Sequence, residues 1–343
     1  MSQSFCAQMS RESGEDLIGS APTHLMYVLI ECPPPWAAND VDSRAIPSNL
    51  RALIAKIKDA KFAVRFLLFI GESQPNQTRV IVFRKPEGLI NGYRKREFEV
   101  DTIDNVAPLL QQHLTEKGLE IDCENSATQD IFVCTHGSHD KCCAKFGYPF
   151  YRQAMSVAAQ LCLRVRIWKV SHIGGHRFAP TIVTFPDGRY YGALDQTTFT
   201  AILQRAGNIQ CLQRVYRGWG ILPKQVQVVE REIALQHGWQ WFGYHVSYRI
   251  LNADKEAQSM QVELQCKKPD QRSLVYVATV VVDETKSQYL MGSCNRDRPT
   301  KFTKFSVEHL RLVSQELDRT KPSRPPRQSF SNLQVRSIEA RLK

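Results

Sequence analysis

The 343-residue chain has no uninterrupted run of about 18 apolar residues, the length that a membrane-crossing helix needs. Its opening, MSQSFCAQMSRESGEDL, also lacks an apolar segment of signal-peptide length. A soluble protein of the cytoplasm is the expectation. Acidic side chains are the scarcer sign, 34 against 45 Lys and Arg, which leaves a net charge of +11. Part of that excess is local: from Arg319 onward, Arg319, Lys321, Arg324, Arg327, Arg336, Arg341 and Lys343 face Glu339 alone. A basic surface suits nucleic acid, anionic lipid or an acidic protein. No nucleic-acid recognition motif or basic aromatic platform is legible, so nucleic acid is not an expected partner. The C-x-x-C pair of dithiol oxidoreductases is absent too.

What is present is an ordinary globular composition, 43% apolar and 23% charged, long enough for two or three folded units. Ten cysteines without a secretion signal point to metal binding or redox chemistry rather than to a disulfide framework.

Hydrophobic periodicity divides the chain into a flexible N-terminus (1–20), an N-terminal α/β unit (21–125), a second α/β unit (126–210), a C-terminal α+β region (211–318) and a basic flexible tail (319–343). In the first unit, THLMYVLIE reads as a buried strand ended by Pro33, Pro34 and Pro35. PSNLRALIAKIKDAK reads as a helix with Ser48 as N-cap, and NVAPLLQQHLTEKG as a helix closing at Gly118. The second unit reads strand, helix, strand, then a hairpin turning at Pro186-Asp187-Gly188, then helix. The similar order suggests two diverged copies of one module. After Gly218, QVQVVEREIALQHG reads as a helix before three antiparallel strands.

The chemistry-bearing residues fall into two groups. In CTHGSHDKCC, Cys134, Cys142 and Cys143 share a loop with His136 and His139; about 30 residues on, His172 and His176 flank Ile173-Gly174-Gly175. Glycine gives such a loop the freedom to aim both imidazoles at one centre. A lone buried cysteine or histidine is usually core packing, but the joint placement of these residues at strand ends favours a metal centre. Eight residues between Cys134 and Cys143 do not make a tight zinc knuckle, and the C-x-H of Cys134 and His136 meets only half of a Rieske pattern.

GSAP at 19–22 with the following strand and PPPW, CTHGSHDKCCAKFG, HIGGHRFAPTIVTFPDGRYYG and, more weakly, YRGWG and MGSCN together resemble the sucrase/ferredoxin-like family, over residues 20–295 or so. That family is similar to thioredoxin-like 2Fe-2S ferredoxins and includes a yeast actin-patch-distal protein. The resemblance implies an α/β (α+β), thioredoxin-like domain carrying a 2Fe-2S cluster on Cys134, Cys143, His172 and His176. Cys143 stands where the family's R-D-x-x-C pattern places the second thiolate; Cys142, His136 and His139 are alternates, and His139 replaces a usual arginine. The function implied is single-electron transfer, with reduction expected to couple to a proton on a noncoordinating histidine nitrogen, and with an acidic redox protein as partner. An electron carrier is expected rather than an enzyme: no carboxylate pair supports sugar hydrolysis. Two other readings use the same residues, a zinc-stabilised interaction protein and a thioredoxin-like thiol oxidoreductase, the latter disfavoured by the vicinal Cys142-Cys143 pair. Trp168, Phe178, Tyr190 and Tyr191 are expected mainly as core and sheet-face packing around the site.

Overall fold

The computed structural model describes residues 5–71, 76–254, 256 and 258–317. The expected basic tail lies outside them. In chain order the elements are α1 (Cys6–Glu12), β1 (Met26–Glu31), α2 (Ser48–Asp59), β2 (Val64–Ile70), β3 (Thr78–Arg84), β4 (Arg94–Val100), α3 (Val106–Gln111) and the short β5 (Leu114–Thr115) and β6 (Gly118–Leu119). Next come β7 (Gln129–Cys134), α4 (Tyr148–Gln160), β8 (Val165–Val170), β9 (Ile182–Phe185), β10 (Arg189–Tyr191), α5 (Gln196–Gln204), α6 (Leu212–Val215) and β11 (Tyr216–Trp219). The C-terminal part holds α7 (Lys224–His237), β12 (His245–Asp254), β13 (Ser259–Lys267), β14 (Arg272–Leu290) and β15 (Thr300–Leu317).

The unbroken apolar run of β1 has a simple cause. Met26, Val28 and Ile30 point into one core beside α2 and α3, while Tyr27 and Leu29 point into a second core on the opposite face. β3 splits in the same way, Val80 and Val82 against Ile81 and Phe83. A strand covered on both faces needs apolar residues at every position.

β1 lies parallel to β2 and antiparallel to β3, which pairs with β4. β7 lies parallel to β8 and antiparallel to β9, which pairs with β10. Both units therefore run strand, helix, strand, strand, strand, helix with one sheet order, the thioredoxin-like arrangement. They meet edge to edge where β2 and β8 pair antiparallel through Phe69↔Val170 and Ile70↔Lys169. The resulting nine-stranded sheet is ordered β11-β10-β9-β7-β8-β2-β1-β3-β4. Because β2 and β8 are equivalent strands, the loops that leave equivalent strands of the two units face each other at this join.

A separate sheet, β12-β13-β14-β15, packs against α7. Its β14–β15 connection, MGSCN and the residues after it, returns to the end of β7.

Several expectations need correction. The N-terminus is not loose from residue 5: α1 buries Cys6, Ala7 and Ser10, and the buried Glu15 carboxylate pairs with Arg177 at 2.9 Å and Lys304 at 2.7 Å. Polar composition concealed this because its charged residues face partners hundreds of positions away. Ser48 is the first helical residue after Pro47 and makes no side-chain cap. α3 stops at Gln111, and Gly118 instead sits at φ 122° in the β5–β6 hairpin. β11, assigned from sequence to the C-terminal region, pairs with β10 and completes the large sheet. The C-terminal sheet has four strands where three were read.

Candidate metal centre

β7 ends at Cys134, fully buried, its N–H held by the Thr181 carbonyl. The chain turns through 135–142, makes one wide helical turn at Cys143–Gly147 and enters α4. Gly147 is required there, since a β-carbon would lie 2.0 Å from the Cys134 carbonyl oxygen. The second loop leaves β8 at Val170, passes Gly174 and Gly175 at φ 86° and 77°, forms a short turn at His176–Phe178 and reaches β9 through a cis Ala179-Pro180 bond. The left-handed conformation at two consecutive residues explains the Gly-Gly pair.

These loops bring Cys134, Cys143 and His172 into one group of possible ligands and His139, His172 and His176 into a second, the two meeting at His172. His172 Nδ1 is 3.9 Å from Cys134 Sγ and 3.7 Å from Cys143 Sγ, and its Nε2 is 3.4 Å from His176 Nδ1. The other ring nitrogen of His176, Nε2, bonds to the Gly292 carbonyl. Such a bond fixes the tautomer, with Nε2 protonated and Nδ1 left as a lone pair toward His172.

The alternates separate. His136 has both ring nitrogens engaged by backbone, Nε2 with the Ala37 carbonyl at 2.7 Å and Nδ1 accepting the His172 N–H at 3.2 Å. His139 bonds the Ala38 carbonyl through Nδ1 at 2.9 Å and stacks on His172 with ring centroids 3.8 Å apart. It also offers a ring nitrogen within 4.8 Å of ligand atoms of His172 and His176, so it stays an alternate. Cys142 points away, toward Cys6 and Cys294.

Electrostatics suit soft-metal donors. The Cys134 thiol falls well below its usual range because the Cys143 thiol donates to it, with His172 adding to the effect. The Cys143 thiol rises correspondingly through the same bond and burial. Burial lowers His176, so it is neutral near pH 7 despite the Asp140 carboxylate nearby. For Asp140, burial alone would raise the carboxyl, yet the Cys142 and Cys294 N–H groups, His176 and the Ser293 hydroxyl hold it below the ordinary carboxylate value.

Second-layer contacts were not read from sequence. Arg217, in YRGWG, donates to the Gly174 carbonyl at 2.9 Å and to the Ser20 carbonyl at 2.8 Å, tying GSAP to the glycine loop. Gly292, in MGSCN, receives His176. From the first unit, Arg65 donates to the His172 carbonyl at 2.6 Å and Asp40 accepts from Ser171 at 2.7 Å. The signal for the Arg217 and Gly292 contacts lay in YRGWG and MGSCN, where the contacting groups are a guanidinium and a main-chain carbonyl. Trp168, Phe178, Tyr190 and Tyr191 all sit in the buried interior; Trp168 donates to Asp130 and Tyr190 bonds Tyr27.

A cleft of about 180 Å³, lined by His136, His139 and His172 with Asp40 and Lys58, opens the imidazole side to solvent. A larger cleft of about 1080 Å³, lined by Met26, Val64, Arg84 and Arg94, takes no thiol or imidazole of this site. Two buried thiols and the imidazoles of His172 and His176 are the donor types that a 2Fe-2S cluster of mixed Cys and His ligation takes. No helix among the described residues is long and apolar enough to cross a membrane.

Comparison with known proteins gives relatives of limited extent. The chain is 27% identical over 77 residues to Altered inheritance of mitochondria protein 32 of Meyerozyma guilliermondii, which covers 22% of this chain and 27% of that protein. Among solved structures, the wild-type thioredoxin-like [2Fe-2S] ferredoxin from Aquifex aeolicus is 19% identical, matching 23% of this chain and 85% of that one with a TM-score of 0.20. A cysteine-to-serine variant of the same ferredoxin is 20% identical, matching 22% and 84%, with a TM-score of 0.20. The sucrase/ferredoxin-like model matches residues 17–218, more than half of the sequence. This chain belongs to the sucrase/ferredoxin-like family.

Proposed function

We propose that the protein is a single-electron carrier that holds a 2Fe-2S cluster through Cys134, Cys143, His172 and His176. The observation that carries this reading is the convergence of two buried sulfurs on His172 Nδ1, at 3.9 and 3.7 Å, with His176 Nδ1 3.4 Å from the opposite ring nitrogen of His172, Nε2. A bound cluster supplies a reversible one-electron couple. Two neutral imidazoles in place of two thiolates remove negative charge from the ligand shell, which favours the reduced state and raises the potential.

The chain's own residues set the conditions. Burial of Cys134 and Cys143 excludes water from the thiolate side. The Gly292 carbonyl holds the His176 Nε2 proton, and Arg217 and Arg65 fix the loop that carries both histidines. The cleft at His139 and His172 gives a partner its approach. Were a bound cluster reduced, the noncoordinating imidazole nitrogen would hold its proton more tightly, so electron uptake would be coupled to a proton at pH values where the oxidised form has lost it. The +11 charge favours encounter with an acidic redox protein in the reducing cytoplasm, where ten free cysteines remain thiols.

The test is anaerobic purification with iron, acid-labile sulfide and zinc analysis and a visible spectrum before and after dithionite. Iron and sulfide in equal amounts with bleachable colour support the reading. Zinc in Cys134 and Cys143 without colour, from a host that assembles clusters, replaces it with a zinc-stabilised interaction protein. A midpoint potential that stays constant between about pH 6 and 9 removes the proton coupling.

A further inference from the structure

Cys142, left out of the cluster ligands, belongs to another group of donors. Its Sγ is 3.4 Å from Cys6 Sγ and 3.3 Å from Cys294 Sγ, and the Cys6 and Cys294 sulfurs are 3.6 Å apart. The three come from α1, the loop after β7 and the β14–β15 loop. Nothing in the proposed cluster site requires them to meet.

We propose that Cys6, Cys142, Cys294 and Asp140 form a second metal site, for one thiophilic divalent cation of the zinc type. Zinc–sulfur bonds of about 2.3 Å in a tetrahedron separate sulfurs by about 3.8 Å, so the triangle needs to open by only about half an ångström. A disulfide, at about 2.05 Å, would pair two sulfurs and strand the third. The fourth donor is Asp140, buried, with all four donor atoms within 4.8 Å of one another. Its orientation is set by the Cys142 N–H at 2.9 Å, the Cys294 N–H at 3.0 Å and the Ser293 hydroxyl at 2.9 Å.

Two further contacts point to anionic sulfur. The Ala7 N–H is aimed at Cys142 Sγ at 3.4 Å, and the Cys6 N–H at Cys294 Sγ at 3.5 Å. Backbone donors spent on sulfur are weakly rewarded by a thiol and more strongly by a metal-bound thiolate. Phe5, Phe146, Met291 and Ala179 close the site against water. On binding, the cation displaces three thiol protons to solvent, with no change of oxidation state. The bound ion would clamp the N-terminal helix and the Gly292-bearing loop onto the strand end that carries Cys134. As assigned, the two sites share no donor; the inference rests on the cluster reading only in that Cys143, not Cys142, is its second thiolate.

Zinc and iron are measured in the anaerobically purified full chain and in C6S, C294S and C134S. The expected result is stoichiometric zinc in wild type and C134S, with zinc lowered at least roughly tenfold in C6S and C294S, the lower end of what losing even an outer-layer partner costs. Loss of iron in C134S alone, with zinc retained, separates the sites. Zinc lost in C134S but kept in C6S overturns the proposal, as does wild type without zinc. Should the variants not fold, alkylation of the wild-type chain with and without zinc, mapped by mass spectrometry, decides the matter. Protection of Cys6, Cys142 and Cys294 by zinc supports the site; equal labelling, or a disulfide among them, refutes it.

Discussion

Substituting alanine at Gly175 and, separately, at Gly174 isolates the contact that holds the histidine loop. Both glycines have positive φ, 77° and 86°. An alanine there costs about 1–2 kcal/mol through the left-handed backbone alone. At Gly174 a β-carbon meets nothing within 4 Å, so G174A should cost only that amount. At Gly175 the β-carbon would lie 2.5 Å from Arg217 Nη2 and 2.6 Å from its Cζ. Arg217 cannot swing aside freely: it is fully buried, and its guanidinium is tied to Gly174, to the Ser20 carbonyl and to the Ser20 hydroxyl. Burial pulls its pKa down to about 10, a sign of how little water reaches it. Displacing one such charged hydrogen bond costs about 1.5–3 kcal/mol. G175A should therefore be destabilised by about 2.5–5 kcal/mol and exceed G174A by about 1.5–3 kcal/mol. Urea unfolding followed by tryptophan fluorescence measures both variants, and the same pair in an R217M background should lose the difference. Equal costs for G174A and G175A in the wild-type background would refute the argument.

Three other outcomes are expected. C143S should abolish the visible absorbance of the anaerobically prepared protein while C142S retains it, read directly from the spectrum; the reverse result would exchange the ligands. Burial alone would raise Glu97, but Arg166 and Lys95 hold it down to about 2 from an ordinary 4.5, so its contribution is fully present above pH 4.5 and is lost as pH falls through 2. With a third of the side chain exposed, E97Q should cost about 1–2 kcal/mol at pH 7 after allowance for solvent screening, and denaturation at stepped pH should show the gap to wild type closing between those values. Arg189 and Glu230 form a fully buried pair at 2.7 Å; R189M should cost about 3–5 kcal/mol by leaving an unpaired buried carboxylate, as a fall in thermal midpoint will report.

The strands and the two donor groups were legible because their signals are local. Apolar runs mark β1 and β7, and Gly174-Gly175 marks a loop whose backbone needs left-handed residues. The separation of Cys142 from Cys143 was not legible from spacing, because adjacent residues at a helix entrance point in directions that only the wide turn at 143–147 decides. The order in the N-terminal segment was hidden for a different reason. Glu15 and Asp16 look like solvated charges until Arg177, Lys304 and Arg231 arrive from the far side of the chain. The β14–β15 loop escaped likewise, since its contribution to the site is a carbonyl, and every residue has one.

The edge-to-edge join of β2 with β8 has a diagnostic consequence. Trp36, Ala37, Ala38 and Asp40 of the first unit accept from Ser138, His136, His139 and Ser171 of the second. One half of the chain thus supplies the donors and the other half steers them. A deletion within 36–40, or loss of the Asp40 carboxylate, would disturb the loops at the ends of β7 and β8 with every cysteine and histidine intact, so damage to the site would map to two distant stretches that meet only in the folded chain.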